Sequence, residues 1–266
     1  MSAAPQTDSP PDSTQDPQPL AQIEPVRTAV RLPQRAPIVV YALLGITIGV
    51  FLLQMATADP RLAAGNVACG DMAACFGMKI NELILAGQWW RLITPVLLHA
   101  SLLHIGFNMY ALYILGPELE RHFGHIHFLI LYLLSGFSGI VLSFLLTASP
   151  SLGASTAIFG LLGAQGVFVY RNQKLFGRRA QAMLRSILNI AVINLLIGLS
   201  PGIDNWGHVG GLLGGSLFAW LAAPLYSLEA DGVEFSLVNR TPTGRVWLAA
   251  SLVAVVFLSL ASLKFF

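Results

Sequence analysis

Apolar and polar positions alternate along this chain in long blocks. A polar stretch of about 36 residues is followed by seven apolar segments, which polar connections separate. The segments occupy about 38–57, 92–115, 127–147, 155–170, 187–199 (with Met183 as an alternative start), 206–226 and 246–263. About 20 apolar residues in a helix suffice to cross the hydrocarbon core of a bilayer. The pattern therefore predicts an all-α polytopic membrane protein with seven transmembrane helices.

The polar stretches define the rest of the organisation. Residues 1–36 are rich in Pro, Ser, Gln and Asp and lack the apolar content that a packed core needs, so we predict a disordered cytoplasmic tail. Residues 227–245 are also polar and are predicted to form a cytoplasmic linker to the seventh segment. Cys69 and Cys75 lie in the loop over 58–93, and their spacing permits a disulfide without requiring one.

The composition and the charge distribution agree with a membrane protein. Hydrophobic residues make up 55% of the chain and charged residues 11%, whereas soluble domains carry about 25% charged residues. Eleven of the fifteen Lys and Arg residues fall on the side of the N-terminal tail when the seven segments alternate in direction. Because positive charge stays in the cytoplasm, we predict a cytoplasmic N-terminus and an extracytoplasmic C-terminus.

Three segments carry polar residues near the ends that this topology places outside. They are His99, His104 and Asn108 in the second segment, Ser155 in the fourth, and Asp204, Asn205 and His208 in the sixth. At 1.5 Å per residue, Ser155 and His104 lie about 24 and about 21 Å from the cytoplasmic edge, below the outer boundary of the core. Polar groups at that depth are costly and are usually functional. The alternative is that each one hydrogen-bonds a neighbouring helix for packing alone.

Ser155 stands at the entrance of the fourth segment, in the stretch Gly153-Ala-Ser-Thr-Ala-Ile-Phe-Gly160. A serine in this place is either a helix N-cap or a nucleophile. Small residues recur along the fourth segment, and the sixth has glycines four apart at Gly207, Gly211 and Gly215. Such spacing lets two membrane helices approach closely, which would bring His208 to Ser155 as its base.

Hydrolysis of an amide also needs donors for the oxyanion that the attack creates. His104 and Asn108 are four residues apart and share one face of the second helix, and both side chains carry N–H donors. The backbone N–H of Ser155, at the start of its helix, supplies a third donor. These residues predict nucleophilic acyl transfer.

With these motifs the chain resembles the rhomboid family of intramembrane serine proteases. The matching residues are Trp90-Arg91, His99-Ala-Ser-Leu-Leu-His104-Ile-Gly-Phe-Asn108, Gly153-Ala-Ser155 and Gly207-His208-Val-Gly-Gly211. The resemblance covers about 38–226 and implies a six-helix rhomboid core over 37–226, with 246–266 as the extra C-terminal helix of some members. It implies a Ser155–His208 dyad, His104 and Asn108 lining the oxyanion hole, and Phe159 against the catalytic histidine. His99 and Gly153 are expected to support the site.

Thr156 and Asp204 lie close to the predicted catalytic residues in the sequence. The family pattern is Gly-x-Ser-Gly, but Thr156 follows the serine here, and we expect this β-branched residue to crowd the backbone near the oxyanion. Asp204, four residues before His208, either orients the imidazole as a third catalytic member or caps the sixth helix. The resemblance to a dyad family favours the cap.

Other classes of function fit these residues less well. Histidine is a common zinc ligand, but His99 and His104 are five residues apart, which does not align them on one helical face, and no His-Glu-x-x-His occurs. A transporter usually shows internal repeats, and the two halves of the sequence show none. A non-catalytic, rhomboid-like protein that holds membrane helices in the same cavity stays open as an alternative.

The sequence therefore predicts a plasma-membrane serine endopeptidase that cleaves in or near the transmembrane helices of other membrane proteins. Its predicted partners are those substrates and the lipid bilayer. We expect no nucleic-acid partner, no metal and no cofactor, and the sequence makes no prediction of the oligomeric state.

Overall fold

Seven long helices dominate the fold in the computed structural model, which describes residues 30–31, 36–64, 69–231 and 234–265. They are α1 (Ile38–Ala56), α2 (Leu102–Phe123), α3 (His125–Leu146), α4 (Ser155–Arg171), α5 (Arg179–Ile197), α6 (Asn205–Ala222) and α7 (Thr243–Ser262). Each one falls on one of the seven apolar segments. The predicted helical class and the order of the helices are therefore confirmed.

The helices differ in how apolar and how enclosed they are. Four helices of the described chain, α1, α3, α5 and α7, are long and apolar enough to cross a membrane by length and composition. Of these, α3 is the most enclosed, with 61% of its apolar window buried against 28% for α1 and α7 and 11% for α5. The other three, α2, α4 and α6, are the helices that carry the polar residues and glycines of the predicted site.

The centre of the fold is the packing of α3, α4 and α6 through small residues. A Cβ atom at Gly211 of α6 would overlap the carbonyl oxygen of Thr156 on α4, and a Cβ atom at Gly215 would overlap that of Gly160. The backbones approach this closely because the glycines have no side chains, as their spacing predicts. This packing places the beginning of α4 beside the beginning of α6.

The second helix begins later than predicted. The sequence predicts a helix from 92, but two 3₁₀ helices, Trp89–Leu92 and Thr94–Leu97, occupy that stretch. Pro95 disfavours a continuous α-helix there, because it has no N–H and restricts the residue before it. Ser101 then caps α2 by accepting the N–H of His104 at 3.2 Å. The apolar segment over 92–115 therefore consists of a 3₁₀-helical stretch followed by the first part of α2, and not of one continuous helix.

The end of α2 also differs from the prediction, because the helix continues through Pro117 to Phe123. The additional turn holds Glu120, whose buried carboxylate accepts the N–H groups of Val39 and Val40 at 2.8 Å each. The same carboxylate lies 2.5 Å from Nδ1 of His125. A carboxylate at the first turn of α1 is favourable in the field of the helix dipole.

Two further boundaries move for local reasons. The fifth helix, α5, begins at Arg179 rather than at 187, after a short helix at Gln173–Phe176. Residues 179–186 are mostly good helix formers, so the helix extends beyond its apolar segment. The sixth helix, α6, ends at Ala222 rather than at 226, because Pro224 biases the preceding residue away from helical geometry.

The predicted polar linker contains a small sheet. Its strands are β1 (Val30–Arg31), β2 (Tyr226–Asp231) and β3 (Glu234–Asn239), with β3 between a parallel β1 and an antiparallel β2. The period-2 alternation in the sequence of β3 is a strand signal that the polar composition masked. Val30–Arg31 belong to the predicted disordered tail but form strand β1, and residues 1–29 and 32–35 lie outside the described part of the chain, so the disorder of the tail stays a prediction.

The loop between α1 and α2 folds into short helices at Pro60–Ala63, Met72–Gly77 and Asn81–Leu85. Cys69 and Cys75 form a disulfide in it, which settles the pairing that the sequence left open. Buried Arg91 donates from Nη1 to the carbonyl oxygen of Met78 at 2.7 Å and from Nη2 to that of Cys75 at 2.6 Å. The Trp90-Arg91 pair therefore fixes the second half of this loop.

Candidate active site

The turn before α4 presents Ser155 at the start of the helix. Gly153 has φ of +136°, a conformation that other residues avoid, and its N–H donates to the carbonyl oxygen of Pro95 at 2.9 Å. A Cβ atom at Gly153 would lie 2.8 Å from the imidazole of His104. The N-cap of α4 is Ala154, and no side chain caps the helix there. The Ser155 hydroxyl is therefore not used as a helix cap.

The hydroxyl of Ser155 is paired with an imidazole from α6. Its Oγ atom lies 2.9 Å from Nε2 of His208, which is itself buried. His208 comes in the first turns of α6, and the close packing of α4 on α6 determines this distance. A histidine at hydrogen-bond distance is the arrangement that activates a serine hydroxyl.

Phe159 fixes the plane of the His208 ring from the next turn of α4. The two rings are stacked, with 4.3 Å between their centroids and 9° between their planes. Offset or stacked ring pairs restrict orientation in addition to burying apolar area. The stacking restricts the plane of the imidazole, and the 2.9 Å contact between Nε2 and Oγ sets the edge that faces Ser155.

Asp204 bonds to other groups than the imidazole. Its Oδ1 atom accepts the N–H of Gly207 at 2.9 Å and caps α6, while its Oδ2 atom accepts the hydroxyl of Ser151 at 2.6 Å. Within the described chain, Nδ1 of His208 has no hydrogen-bond partner. Among the described residues, Asp204 therefore has the geometry of a helix cap and not that of a partner to the His208 imidazole.

His104 and Asn108 lie on α2 beside the turn at Gly153. Nδ1 of His104 accepts the N–H of Ala100 at 3.4 Å, so a neutral ring carries its proton on Nε2. The Asn108 amide donates to the carbonyl oxygen of His104 at 3.0 Å, which uses one of its two N–H groups. The structure brings His104 to the Gly153 turn, while Asn108 is bonded to its own helix.

His99 lies beneath the site and contacts the residue before the serine. Its Nε2 atom accepts the N–H of Ala154 at 3.4 Å, and its ring packs edge-on against His104 with 5.0 Å between centroids. Buried Gln54 of α1 bonds both the N–H and the carbonyl oxygen of His99, at 2.9 and 3.2 Å. Gln54 was not predicted from the sequence, although a polar residue inside an apolar segment is usually functional.

Thr156 does not crowd the serine in the way that was expected. Its side chain faces α3 and α6, where glycines leave room for it. A Cβ atom at Gly139 of α3 would lie 2.6 Å from Cβ of Thr156, and one at Gly207 of α6 would lie 3.0 Å from its Cγ2. The β-branched side chain therefore fills a space between helices.

Lys79 bonds to the segment between α3 and α4, which leads into Ser155. This role was not predicted from the sequence. Its buried ammonium donates to the carbonyl oxygens of Thr147 at 2.7 Å and Ser149 at 2.9 Å. Its backbone pairs with that of Ser151 in both directions, at 2.9 and 3.1 Å. Burial lowers the pKa of Lys79 from 10.5 to about 8, because desolvation penalises the charged form, and the Asp204 charge opposes this effect.

Comparison with known proteins places this site in a family. The sequence profile described as Rhomboid domain matches residues 86–225, more than half of the chain. Rhomboid protease GluP of Bacillus subtilis is 43% identical over 163 residues, which are 61% of this chain and 31% of that protein. RHOMBOID-like protein 9, chloroplastic, of Arabidopsis thaliana is 32% identical over 193 residues, or 72% of this chain and 44% of that protein.

RHOMBOID-like protein 1 of Arabidopsis thaliana is 36% identical over 182 residues, 67% of this chain and 46% of that protein. This chain thus spans less than half the length of each of these three relatives. The matched region contains α2, α3, α4, α5 and α6, and therefore both Ser155 and His208. The chain belongs to the rhomboid family.

Proposed function

We propose that this protein is an intramembrane serine endopeptidase that hydrolyses peptide bonds in or near the transmembrane helices of other membrane proteins. The observation that carries the proposal is the 2.9 Å distance between Oγ of Ser155 and Nε2 of His208, at the start of a helix and without a capping role for the serine. Membership of a family that includes a named protease supports it.

The proposed reaction begins with attack of the Ser155 hydroxyl on the scissile carbonyl, while His208 takes the hydroxyl proton on Nε2. The oxyanion receives the backbone N–H of Ser155, the Nε2–H of His104 and the free N–H of the Asn108 amide. His208 then gives its proton to the leaving amine, and an acyl-enzyme forms at Ser155. Water, deprotonated by the same imidazole, attacks the ester and releases the second product.

The proposal also covers the topology and the substrates. We infer seven membrane crossings with the tail in the cytoplasm, so that the site would lie below the outer face of a plasma membrane, where recessed polar groups admit water. A continuous substrate helix offers no accessible amide, because its backbone groups are bonded internally. Substrates should therefore carry helix-breaking and small residues near the cleaved bond.

The alternative function is a catalytically weak or inactive rhomboid-like protein that binds transmembrane helices in the same cavity. Several relatives are named rhomboid-like rather than protease. Such a protein would keep the fold and the cavity but would not have a reactive serine. The two functions therefore differ in the nucleophilicity of Ser155.

The experiment is covalent labelling of the purified protein in detergent with a fluorophosphonate probe, which reacts with activated serines. We expect the parent to be labelled and Ser155→Ala to give no label. The matched control is Ser149→Ala, which removes an exposed hydroxyl six residues earlier and should label like the parent. Equal labelling of the parent and of Ser155→Ala, or no label on either, would contradict the proposal.

A further inference from the structure

The disulfide between Cys69 and Cys75 encloses a buried carboxylate that bonds to α1. Asp71 lies between the two cysteines, and its Oδ1 atom accepts the N–H of Ala74 at 2.7 Å, which caps the helix Met72–Gly77. Its Oδ2 atom accepts the side-chain N–H of Gln54 at 3.0 Å. Asp71 is 8% exposed and Gln54 5% exposed, so water does not readily replace this bond.

Gln54 connects Asp71 to His99, which lies near the serine. Its Oε1 atom accepts the backbone N–H of His99, and its Nε2 atom donates both to the backbone carbonyl of His99 and to Asp71. The His99 imidazole in turn accepts the N–H of Ala154, the residue before Ser155. A continuous series of hydrogen bonds therefore runs from the disulfide loop to the start of α4.

The disulfide adds a covalent link to the contacts that hold Asp71, which include the N–H of Cys75 donating to the backbone carbonyl of Asp71 at 3.0 Å. Cys75 is anchored from the other side, because Arg91 donates to its carbonyl oxygen at 2.6 Å. The covalent bond extends this anchor to Cys69 and thereby to Gly70, whose carbonyl oxygen accepts the N–H of Asp59 at 3.0 Å. Without the bond, Cys69 and Gly70 are joined to the anchored Cys75 only through the backbone of the residues between them.

We propose that Asp71 and Gln54 are positioning residues for Ser155, and that the Cys69–Cys75 disulfide makes this support sensitive to thiol reductants. A dithiol is oxidised to its disulfide, while Cys69 and Cys75 take up two electrons and two protons and become thiols. Asp71 then leaves Gln54, whose buried N–H loses its charged acceptor. His99 and the N–H of Ala154 lose their fixed position as a result.

The compartment predicted for this loop agrees with such a device. Disulfides form and persist in oxidising compartments and are rare in the cytosol. The loop over 58–93 lies on the side that the charge distribution predicts to be outside the cell. The protein would thus be assembled with the support in place and would lose it on exposure to a reducing agent.

The inference rests on the proposed function, because its first readout is the reactivity of Ser155 with a fluorophosphonate. We expect dithiothreitol to lower the maximal labelling rate of the parent roughly tenfold, on the order of the loss of one charge-assisted hydrogen bond, with an unchanged half-saturating probe concentration. Reoxidation should restore the rate. The double variant Cys69→Ser/Cys75→Ser should label slowly with or without dithiothreitol. Free thiols in the parent with an unchanged labelling rate would overturn the inference.

A matched pair of substitutions tests Asp71 without reduction. Asp71→Asn keeps an oxygen that accepts the N–H of Ala74 but turns an N–H towards the N–H of Gln54. Labelling of this variant should therefore be as slow as labelling of the reduced parent. Asp59→Asn is the control: Asp59 also caps a short helix in this loop, through the N–H of Arg61 at 2.8 Å, but that bond is exposed to solvent and Asp59 does not bond Gln54. Equal labelling rates in the two variants would contradict the role of Asp71.

Amide hydrogen exchange separates this inference from the proposed function. Reduction should increase the exchange of the N–H groups of His99 and Ala154, whether or not Ser155 reacts with the probe. If the parent is never labelled but shows this change in exchange, the proposed function is refuted, while the positioning role of Asp71 and Gln54 stands. Unchanged exchange on reduction would refute the claim that the disulfide helps to position His99 and Ala154.

Discussion

The ring of Phe159 lies parallel to the imidazole of His208, with 4.3 Å between the centroids, and so restricts the plane of the base. We predict that Phe159→Leu lowers the rate of Ser155 labelling by up to about tenfold, which corresponds to the roughly 0.5–1.5 kcal/mol of an aromatic pair. Phe257→Leu removes a similarly buried ring on α7 and should leave labelling unchanged. An unaltered rate in Phe159→Leu would show that the stacking does not orient the base.

Asp204 should matter for stability more than for activity. Asp204→Ala removes the cap of α6, which costs about 1 kcal/mol, and leaves the Ser155–His208 pair in place. We expect a lower melting temperature with labelling within a few-fold of the parent. Asp204→Asn, which retains a capping oxygen, should recover most of the stability. A loss of labelling as complete as that of Ser155→Ala would favour a triad.

The packing around Thr156 predicts that substitutions at Gly139 and Thr156 have coupled effects on stability. Gly139→Ala places a methyl group 2.6 Å from Cβ of Thr156 and 2.5 Å from the carbonyl oxygen of Gly207, so it should destabilise the protein by about 1–3 kcal/mol. Adding Thr156→Gly removes the first clash and should recover part of the loss. Gly49→Ala on α1, which meets nothing within 4 Å, is the control in thermal unfolding. Strict additivity of the two changes would contradict this packing.

The buried ammonium of Lys79 predicts a dependence of stability on pH. Burial lowers the pKa of Lys79 from 10.5 to about 8, so between these values the unfolded chain binds more protons than the folded one. Stability relative to Lys79→Met should therefore rise as the pH increases from 8 towards 10.5. Thermal unfolding in detergent measures this difference, with exposed Lys174→Met as the control. A difference that stays constant with pH would contradict a depressed pKa.

The helices were predictable from sequence because their apolar content comes in long blocks, but several of their ends were not. The start of α2 depends on Pro95 and on the cap by Ser101, which divide one apolar segment into two structures. Its end depends on Glu120, whose partners in α1 are 80 and 81 residues away. Local sequence patterns carry no information about contacts of that range.

The site was predictable as far as its residues belong to known motifs. Ser155, His208 and Phe159 are brought together as predicted, and their catalytic roles stay predictions until labelling is measured. The position of Thr156 was not predictable, because it depends on glycines of two other helices. Lys79 and Asp71 lie in a polar loop, where a charged residue is ordinary and gives no signal of burial.

The bond from Glu120 to the first turn of α1 has a consequence for biosynthesis. When α1 leaves the ribosome, the acceptor for its Val39 and Val40 amides has not yet been translated, since it follows 80 residues later. The first turn of α1 thus completes its hydrogen bonds only after the whole of α2 has been inserted. These two helices should mature together as a hairpin, and a nascent chain that ends before residue 120 should leave the beginning of α1 open to chaperones and proteases.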